Sequence, residues 1–259
     1  MLIDSHCHLD QESFSSDRAV VVARSRAAGI ESWVVPAYSP LQWSCLEALR
    51  QEESGVAAAF GVHPVYLADL RDSDWDRLEV LLTKAVALGE VGLDREEDAP
   101  ALKAQFPVLE RQLSIANSLN LPVILHARRA TEELLQFLRH RAPLSGVFHS
   151  FSGSYEQACK ALDLGLQLGI GGAITHPRAE RVRRVLQSLP TDAILLETDA
   201  PFQPPHAHRG ERNEPAYLVG ILAVAAELRK ESPEQLAEIC TANTLRVFPR
   251  LEQVLIDAR

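Results

Sequence analysis

Cysteine is scarce in this chain, and basic charge is in deficit. Four cysteines in 259 residues, Cys7, Cys45, Cys159 and Cys240, lie far apart and form no CxxC pair. That argues against a disulfide framework or a zinc knuckle, and they read as reduced thiols. Lys and Arg total 26 against 35 Asp and Glu, a formal net charge of -9. Such a balance argues against a broad basic surface that wraps duplex DNA. A polyanion bound at one local site is still allowed, because metal ions can dominate the charge there. No apolar run reaches the ~18 residues of a membrane span, so no membrane partner is expected. The opening MLIDSHCHLD lacks the basic and apolar regions of a signal peptide, which points to the cytoplasm. No obligatory protein partner is evident. Trp33, Trp43 and Trp75 show no spacing for a base-stacking platform, so packing is their expected role.

What the chain has in abundance is short apolar runs alternating with longer helix-like stretches. The runs cover residues 2–8, 32–37, 56–62, 85–93, 122–127, 146–150, 166–172 and 193–199. Each is near strand length with little polar alternation, as expected of strands covered on both faces. Between them, residues 102–119 place Leu102, Phe106, Leu109, Leu113 and Ala116 at helical spacing, with Asn120 and Pro122 closing the helix. Eight such units in a chain of this length predict a single-domain α/β protein over residues 1–259, a (β/α)8 TIM barrel. An open doubly wound sheet is disfavoured because no GxGxxG follows the first run. After a Pro-rich loop at 200–215, helices are expected at 216–230, 233–240 and 242–248.

Six side chains with metal-ligand chemistry fall at or near the ends of those runs: His6, His8, Glu90, His126, His149 and Asp199. His6 and His8 are two apart, so in a strand both imidazoles point one way and Cys7 the other. A barrel brings the C-terminal ends of its strands to one rim, where residues remote in sequence converge. A lone strand-end histidine is more often structural than a ligand, and a strand-end acid is often a helix cap. Ligand residues at five run ends together outweigh those readings. Four imidazoles and two carboxylates are too many for one ion with an open position. They suit two divalent ions ~4 Å apart, with His6, His8 and Asp199 on one, His126 and His149 on the other, and Glu90 bridging. Imidazole suits Zn2+, whereas carboxylate and water suit Mg2+ or Mn2+, and this set mixes both.

The motifs that carry these residues resemble those of the TatD family of metal-dependent deoxyribonucleases, within the amidohydrolase-like barrels. They are DSHCHLD (4–10), GVHP (61–64), GEVGLD (89–94), LPVILHAR (121–128), HSFSGS (149–154), LGIGGAIT (168–175), LLETDAP (195–201) and RNEPAY (212–217). The resemblance covers nearly the whole chain. It implies a TIM barrel, a divalent metal centre held by the same six residues, a glutamate rather than a modified lysine as bridge, and phosphodiester hydrolysis. One departure bears on the substrate. After GLD the family usually continues with aromatic residues, whereas this chain reads Arg95-Glu96-Glu97-Asp98.

The expected reaction is attack on a DNA phosphodiester by a water activated between the ions, with Asp199 taking the proton and Glu90 as its catalytic partner. Single strands or strand ends are the expected substrate. His63 reads either as a hydrogen-bond donor to a substrate oxygen or as a loop histidine fixing the Pro64 turn. Arg128 reads as a phosphate partner, or as a solvated arginine beside Arg129. Glu197, Asp4 and Asp94 are expected to support the ligands, and Gly171-Gly172 to admit a substrate backbone. Removing the Glu90 charge is expected to relieve carboxylate repulsion in the metal-free protein. Two other functions compete: hydrolysis of a small amide, ester or lactone, and a non-catalytic metal-binding barrel.

Overall fold

A computed structural model describes residues 1–141 and 144–258. Eight strands form one sheet in the order β1 to β8: β1 (Leu2–Asp4), β2 (Ile30–Pro36), β3 (Val56–Phe60), β4 (Ala87–Asp94), β5 (Val123–Arg128), β6 (Gly146–Phe148), β7 (Leu166–Ile170) and β8 (Ile194–Leu196). Every neighbouring pair in that order is parallel. The seam between β8 and β1 is joined by Ser5 N–H donating to Leu196 O at 3.0 Å and Asp199 N–H donating to His6 O at 2.9 Å. The chain is a single-domain TIM barrel, as the alternating runs predict.

Helices return the chain after each strand: α1 (Arg18–Ala27), α2 (Trp43–Glu52), α3 (Asp74–Leu82), α4 (Leu102–Ser118), α5 (Thr131–Leu138), α6 (Tyr155–Asp163), α7 (Glu180–Ser188) and α8 (Leu218–Arg229). Two more, α9 (Pro233–Val247) and α10 (Leu251–Asp257), end the described chain. Ser154 starts α6 with a capping box, and Ser232 caps α9 just ahead of Pro233, each satisfying N–H groups that a helix start leaves open. The apolar outer faces of the strands pack on the helices in one large core that includes Trp33, Trp43 and Trp75. The barrel interior forms a second core. There Val247, Phe248, Leu251 and Leu255 pack against Ile3, Val34, Ala57 and Ile124. Arg250 ties this plug to the chain ahead of β4 by donating to Leu82 O and Ala85 O. One end of the barrel is thereby closed, and the other is left for chemistry.

Two expectations need correction. The run at 2–8 is a strand only to Asp4, and the run at 193–199 only from Ile194 to Leu196. Beyond those points the backbone leaves the regular ladder: Ser5 N–H turns to Leu196, but Cys7 N–H turns to Val34 on the other side at 3.1 Å. The helices expected at 233–240 and 242–248 are one continuous helix, α9. Its apparent break is filled with buried polar groups that find partners, Thr244 donating to Cys240 O and Asn243 donating to Thr191 O and Ile194 O.

Candidate metal centre

All six predicted ligands meet at the open end of the barrel. Glu90 comes from the middle of β4 and His126 from β5, whereas His149 lies one residue past β6. His6, His8 and Asp199 lie in the loops after β1 and β8, so the pleat of a strand is not what aligns the two histidines. Their Nε2 atoms nevertheless converge to 3.3 Å. Asp199 adopts a left-handed backbone with φ 57°, a conformation that Asp tolerates better than most residues. Gly92, with φ 154°, allows β4 to lie against β5 beside the site. A Cβ there would stand 1.9 Å from the carbonyl oxygen of His126, closer than any side chain could be accommodated.

Glu90 is nearly fully buried, and its two oxygens face different imidazoles. Oε2 lies 3.4 Å from His6 Nε2 and 3.6 Å from His8 Nε2. Oε1 lies 2.9 Å from His126 Nδ1 and 3.2 Å from His149 Nε2. Asp199 Oδ1 completes the first set, 3.6 Å from His6 Nε2 and 3.5 Å from His8 Nε2. His6 also stacks on His149 with ring centroids 3.7 Å apart.

The far side of the imidazoles decides which nitrogen is free. A carbonyl can only accept, so His8 Nδ1–H donates to Pro36 O at 3.1 Å, leaving Nε2 with a lone pair in the neutral ring. His149 Nδ1 meets Glu197 Oε1 at 3.2 Å, and His126 Nε2 meets Asp94 Oδ2 at 2.9 Å. This is the arrangement of metal-binding histidines, whose outer nitrogen is held by an acceptor. Three sets of atoms close enough to share an ion lie here: His6 with His149 and Asp199; His6 with His8 and Glu90; His63 with Glu90 and His126. His63 differs from the rest. Its Nδ1 accepts from Val65 N–H at 3.2 Å, so the ring hydrogen sits on Nε2, which faces Glu90 Oε1 at 3.7 Å. His63 therefore presents a donor and not a lone pair. His63 thus fixes the Pro64 turn and points its N–H into the cavity.

Electrostatics ties these imidazoles and carboxylates into one cluster. Burial opposes a charged Glu90, but the His149 and His6 charges outweigh it and hold the carboxyl well below its ordinary value. Burial likewise opposes a charged His149, yet Glu90 and Glu197 raise it well above the usual imidazole value. Against burial, the hydrogen bond from His8 and the charges of His149 and His6 hold Asp199 down to about 2. Without a cation the cluster thus holds protons between its carboxylates, the positive charge that a metal displaces on binding. The donor set fits a metal centre. His63 is driven the other way, chiefly by burial, down to about 3, consistent with a neutral ring.

Supporting residues fall close to expectation, with exceptions. Glu197 is fully buried against His149 and accepts Ser150 N–H at 2.6 Å. Asp4 lies one layer deeper, accepting Thr198 N–H at 2.9 Å, and burial pushes its carboxyl up to about 8. Two glutamines of α4 were not anticipated. Gln105 both accepts from Asp94 N–H and donates to Asp94 O, and Gln112 does the same with Val62. Their sequence signal is a polar residue inside the buried stripe of α4. At Gly172 a Cβ would meet Gln203 O at 2.6 Å, so the backbone that approaches it closely is the chain's own. Arg128 already has an internal partner, with Nε 2.9 Å from Glu96 Oε1, and Arg129 Nε is 3.2 Å from the same oxygen. The centre opens into a cavity of about 1110 Å³ bordered by Arg128, His63, Tyr38, Tyr66 and Phe202. The three aromatic residues had no signal in spacing, because Tyr38, Tyr66 and Phe202 lie in separate segments after β2, β3 and β8.

An eight-stranded parallel barrel with buried histidines and carboxylates converging at its open end has the form of a metal-dependent hydrolase. Comparison with known proteins agrees. The family model described as TatD related DNase matches residues 3–249, and the chain belongs to the TatD family. YjjV of Escherichia coli strain K12, described as an uncharacterized metal-dependent hydrolase, is 39% identical over 251 residues, covering 95% of this chain and 97% of its own. The crystal structure of YjjV matches with a TM-score of 0.91 over 96% of this chain and 98% of that one. YabD of Bacillus subtilis strain 168, another uncharacterized metal-dependent hydrolase, is 35% identical over 252 residues, covering 96% of this chain and 99% of its own. A relative from Pantoea ananatis, 32% identical over 257 residues and covering 95% of this chain and 99% of its own, is named as the 3'-5' ssDNA/RNA exonuclease TatD. This protein is accordingly a metal-dependent hydrolase. No helix among the described residues is long and apolar enough to cross a membrane.

Proposed function

We propose that this hydrolase cleaves DNA phosphodiester bonds from strand ends, with two divalent ions, Zn2+, Mg2+ or Mn2+, seated in the cluster. The observation that carries the proposal is the division of Glu90, one oxygen toward His6 and His8 and the other toward His126 and His149. In this reading His6, His8 and Asp199 would hold one ion and His126 and His149 the other, with Glu90 available to both. Such a pair, when bound, would supply an activated water and charge stabilisation for the oxygens of an in-line displacement. The chain's own groups do the rest. Asp199, held ionised, would accept a proton from the attacking water, a role supported by Gln203 Nε2–H donating to its Oδ2 at 2.6 Å. His63 Nε2–H donates to a substrate oxygen, and Arg128 pairs with a non-bridging oxygen. The net charge of -9 suits a pocket that admits one end better than a surface that coats a duplex. The scattered free cysteines suit the cytoplasm.

A second reading, hydrolysis of a small amide, ester or lactone, is favoured by one observation: Glu96 already occupies Arg128 and Arg129. Both are tested by giving chelated and metal-reconstituted protein linear single-stranded DNA, a covalently closed circle, and a panel of amides, esters and lactones. We expect hydrolysis of the linear strand only after a divalent cation is restored, with the circle spared. Rapid cutting of the circle would overturn the strand-end reading. Undiminished activity after complete chelation would overturn the metal assignment, and turnover confined to amides or esters would select the second reading.

A further inference from the structure

The rim of the cavity is divided by chemistry. On the β4, β5 and α7 side stand charged groups, with Arg128, Arg129 and Arg181 interleaved with Glu96 and Glu132. The opposite arc, supplied by the loops after β8, β2 and β3, is aromatic. Phe202 lies edge-on to His8 with ring centroids 5.7 Å apart, His8 meets Tyr38 at 5.6 Å, Tyr38 meets Tyr66 at 4.8 Å, and Tyr66 stands edge-on to His63 at 6.1 Å. The rings at the two ends of this arc are open: Phe202 is 47% exposed and Tyr66 37%. Tyr38, between them, is half-buried and accepts a hydrogen bond from Gln11 Nε2 at 2.7 Å. It serves as backing.

We propose that Tyr66 and Phe202 form a nucleobase-stacking subsite beside the metal centre. The inference rests on the strand-end reading and specifies how such an end is held. Each open ring leans on a histidine of the central cluster, Phe202 on His8 and Tyr66 on His63. A flat group stacked on either ring would therefore lie beside the histidine on which that ring leans. A nucleotide joins a flat, weakly polar base to an anion, and this cavity offers rings on one wall and guanidinium groups on the other. Stacking on aromatic side chains is sequence-tolerant, since every base has a π face. The subsite therefore favours single-stranded termini, whose bases are free to stack, without selecting among bases.

The test compares two oligodeoxynucleotides of equal length, one ending in 2-aminopurine and one ending in an abasic residue. Binding to the chelated whole protein is followed by fluorescence quenching for the first and by competition for the second. KM is measured for both with the metal-loaded enzyme. We expect quenching on binding and about tenfold tighter binding of the base-bearing end. Tyr66→Leu and Phe202→Leu should each reduce the quenching and narrow that ratio, with metal content and abasic binding unchanged, while Tyr66→Phe retains both. Equal binding and equal KM for the two ends, with hydrolysis intact, would overturn the stacking subsite and leave the nuclease reading standing. Failure to bind or hydrolyse either oligonucleotide would overturn both.

Discussion

Among individual residues, Glu90 has the most consequential surroundings. From sequence, removing its charge should relieve repulsion among carboxylates in the metal-free protein. The structure reverses that expectation, because the close neighbours of Glu90 are imidazoles: His6, His8, His126 and His149 all lie within 3.6 Å of its oxygens. Glu90→Gln should therefore lower metal content and also destabilise the metal-free protein. Hydrogen bonds to a charged group contribute ~1.5–3 kcal/mol, and ~2–4 °C of melting temperature follows from each kcal/mol in a chain of this size. Metal per chain by elemental analysis and melting of the chelated variant measure the two effects separately. Full metal content would refute the bridge, and an unchanged metal-free melting temperature would refute the internal pairing. The identities of all six candidate ligands were legible in the sequence, since an apolar strand has little reason to end in an imidazole or carboxylate. The donor character of His63 was not. It depends on the Val65 N–H that its Nδ1 accepts, a contact set by the local turn.

Among elements, the loop after β4 shows how far a motif carries. Its acidic sequence was legible as a departure, but its partner was not. Glu96 is tied to the metal centre through its own N–H, which donates to Asp94 Oδ1 at 2.7 Å, while Asp94 Oδ2 meets His126. Its carboxylate then lies against Arg128 and Arg129, where the proposed function would set a substrate phosphate. Glu96→Gln should free both guanidinium groups and lower KM for a phosphodiester. The arginines are largely exposed, so the gain is that of a surface ion pair, about 1.5- to 5-fold, and it should shrink as salt is added. Steady-state KM at low and high salt measures it, and a KM that rises would show that Glu96 assists binding. Elsewhere the elements follow their periodicity, and α4 was expected at 102–119 against an observed Leu102–Ser118. At α9, by contrast, the polar Asn243 in the suggested break is buried and bonded to other elements.

At the scale of the molecule, stability and chemistry occupy opposite ends of the barrel. Phe248 is fully buried in the plug beneath the strands. Phe248→Ala should cost ~3–5 kcal/mol, as for other large core truncations. Because Ile3, Val34, Ala57 and Ile124, against which the plug packs, are not candidate ligands, metal stoichiometry in the folded state should be unchanged. Chemical denaturation and metal analysis of the same sample check this, and loss of metal from still-folded protein would show that the floor and the site are coupled. The sequence by itself determined the number and order of strands, the barrel they build, the rim at which they end and the chemical types gathered there. Local period and motif encode all of these, because a strand's two faces and a run's last residue are properties of neighbouring positions. Only the tertiary structure decided that each oxygen of Glu90 faces a different pair of imidazoles, that Glu96 covers Arg128, and that Tyr66 and Phe202 share one arc. Those facts depend on distances between side chains far apart in the chain, fixed by the closure of the barrel, and no spacing within a single element records them.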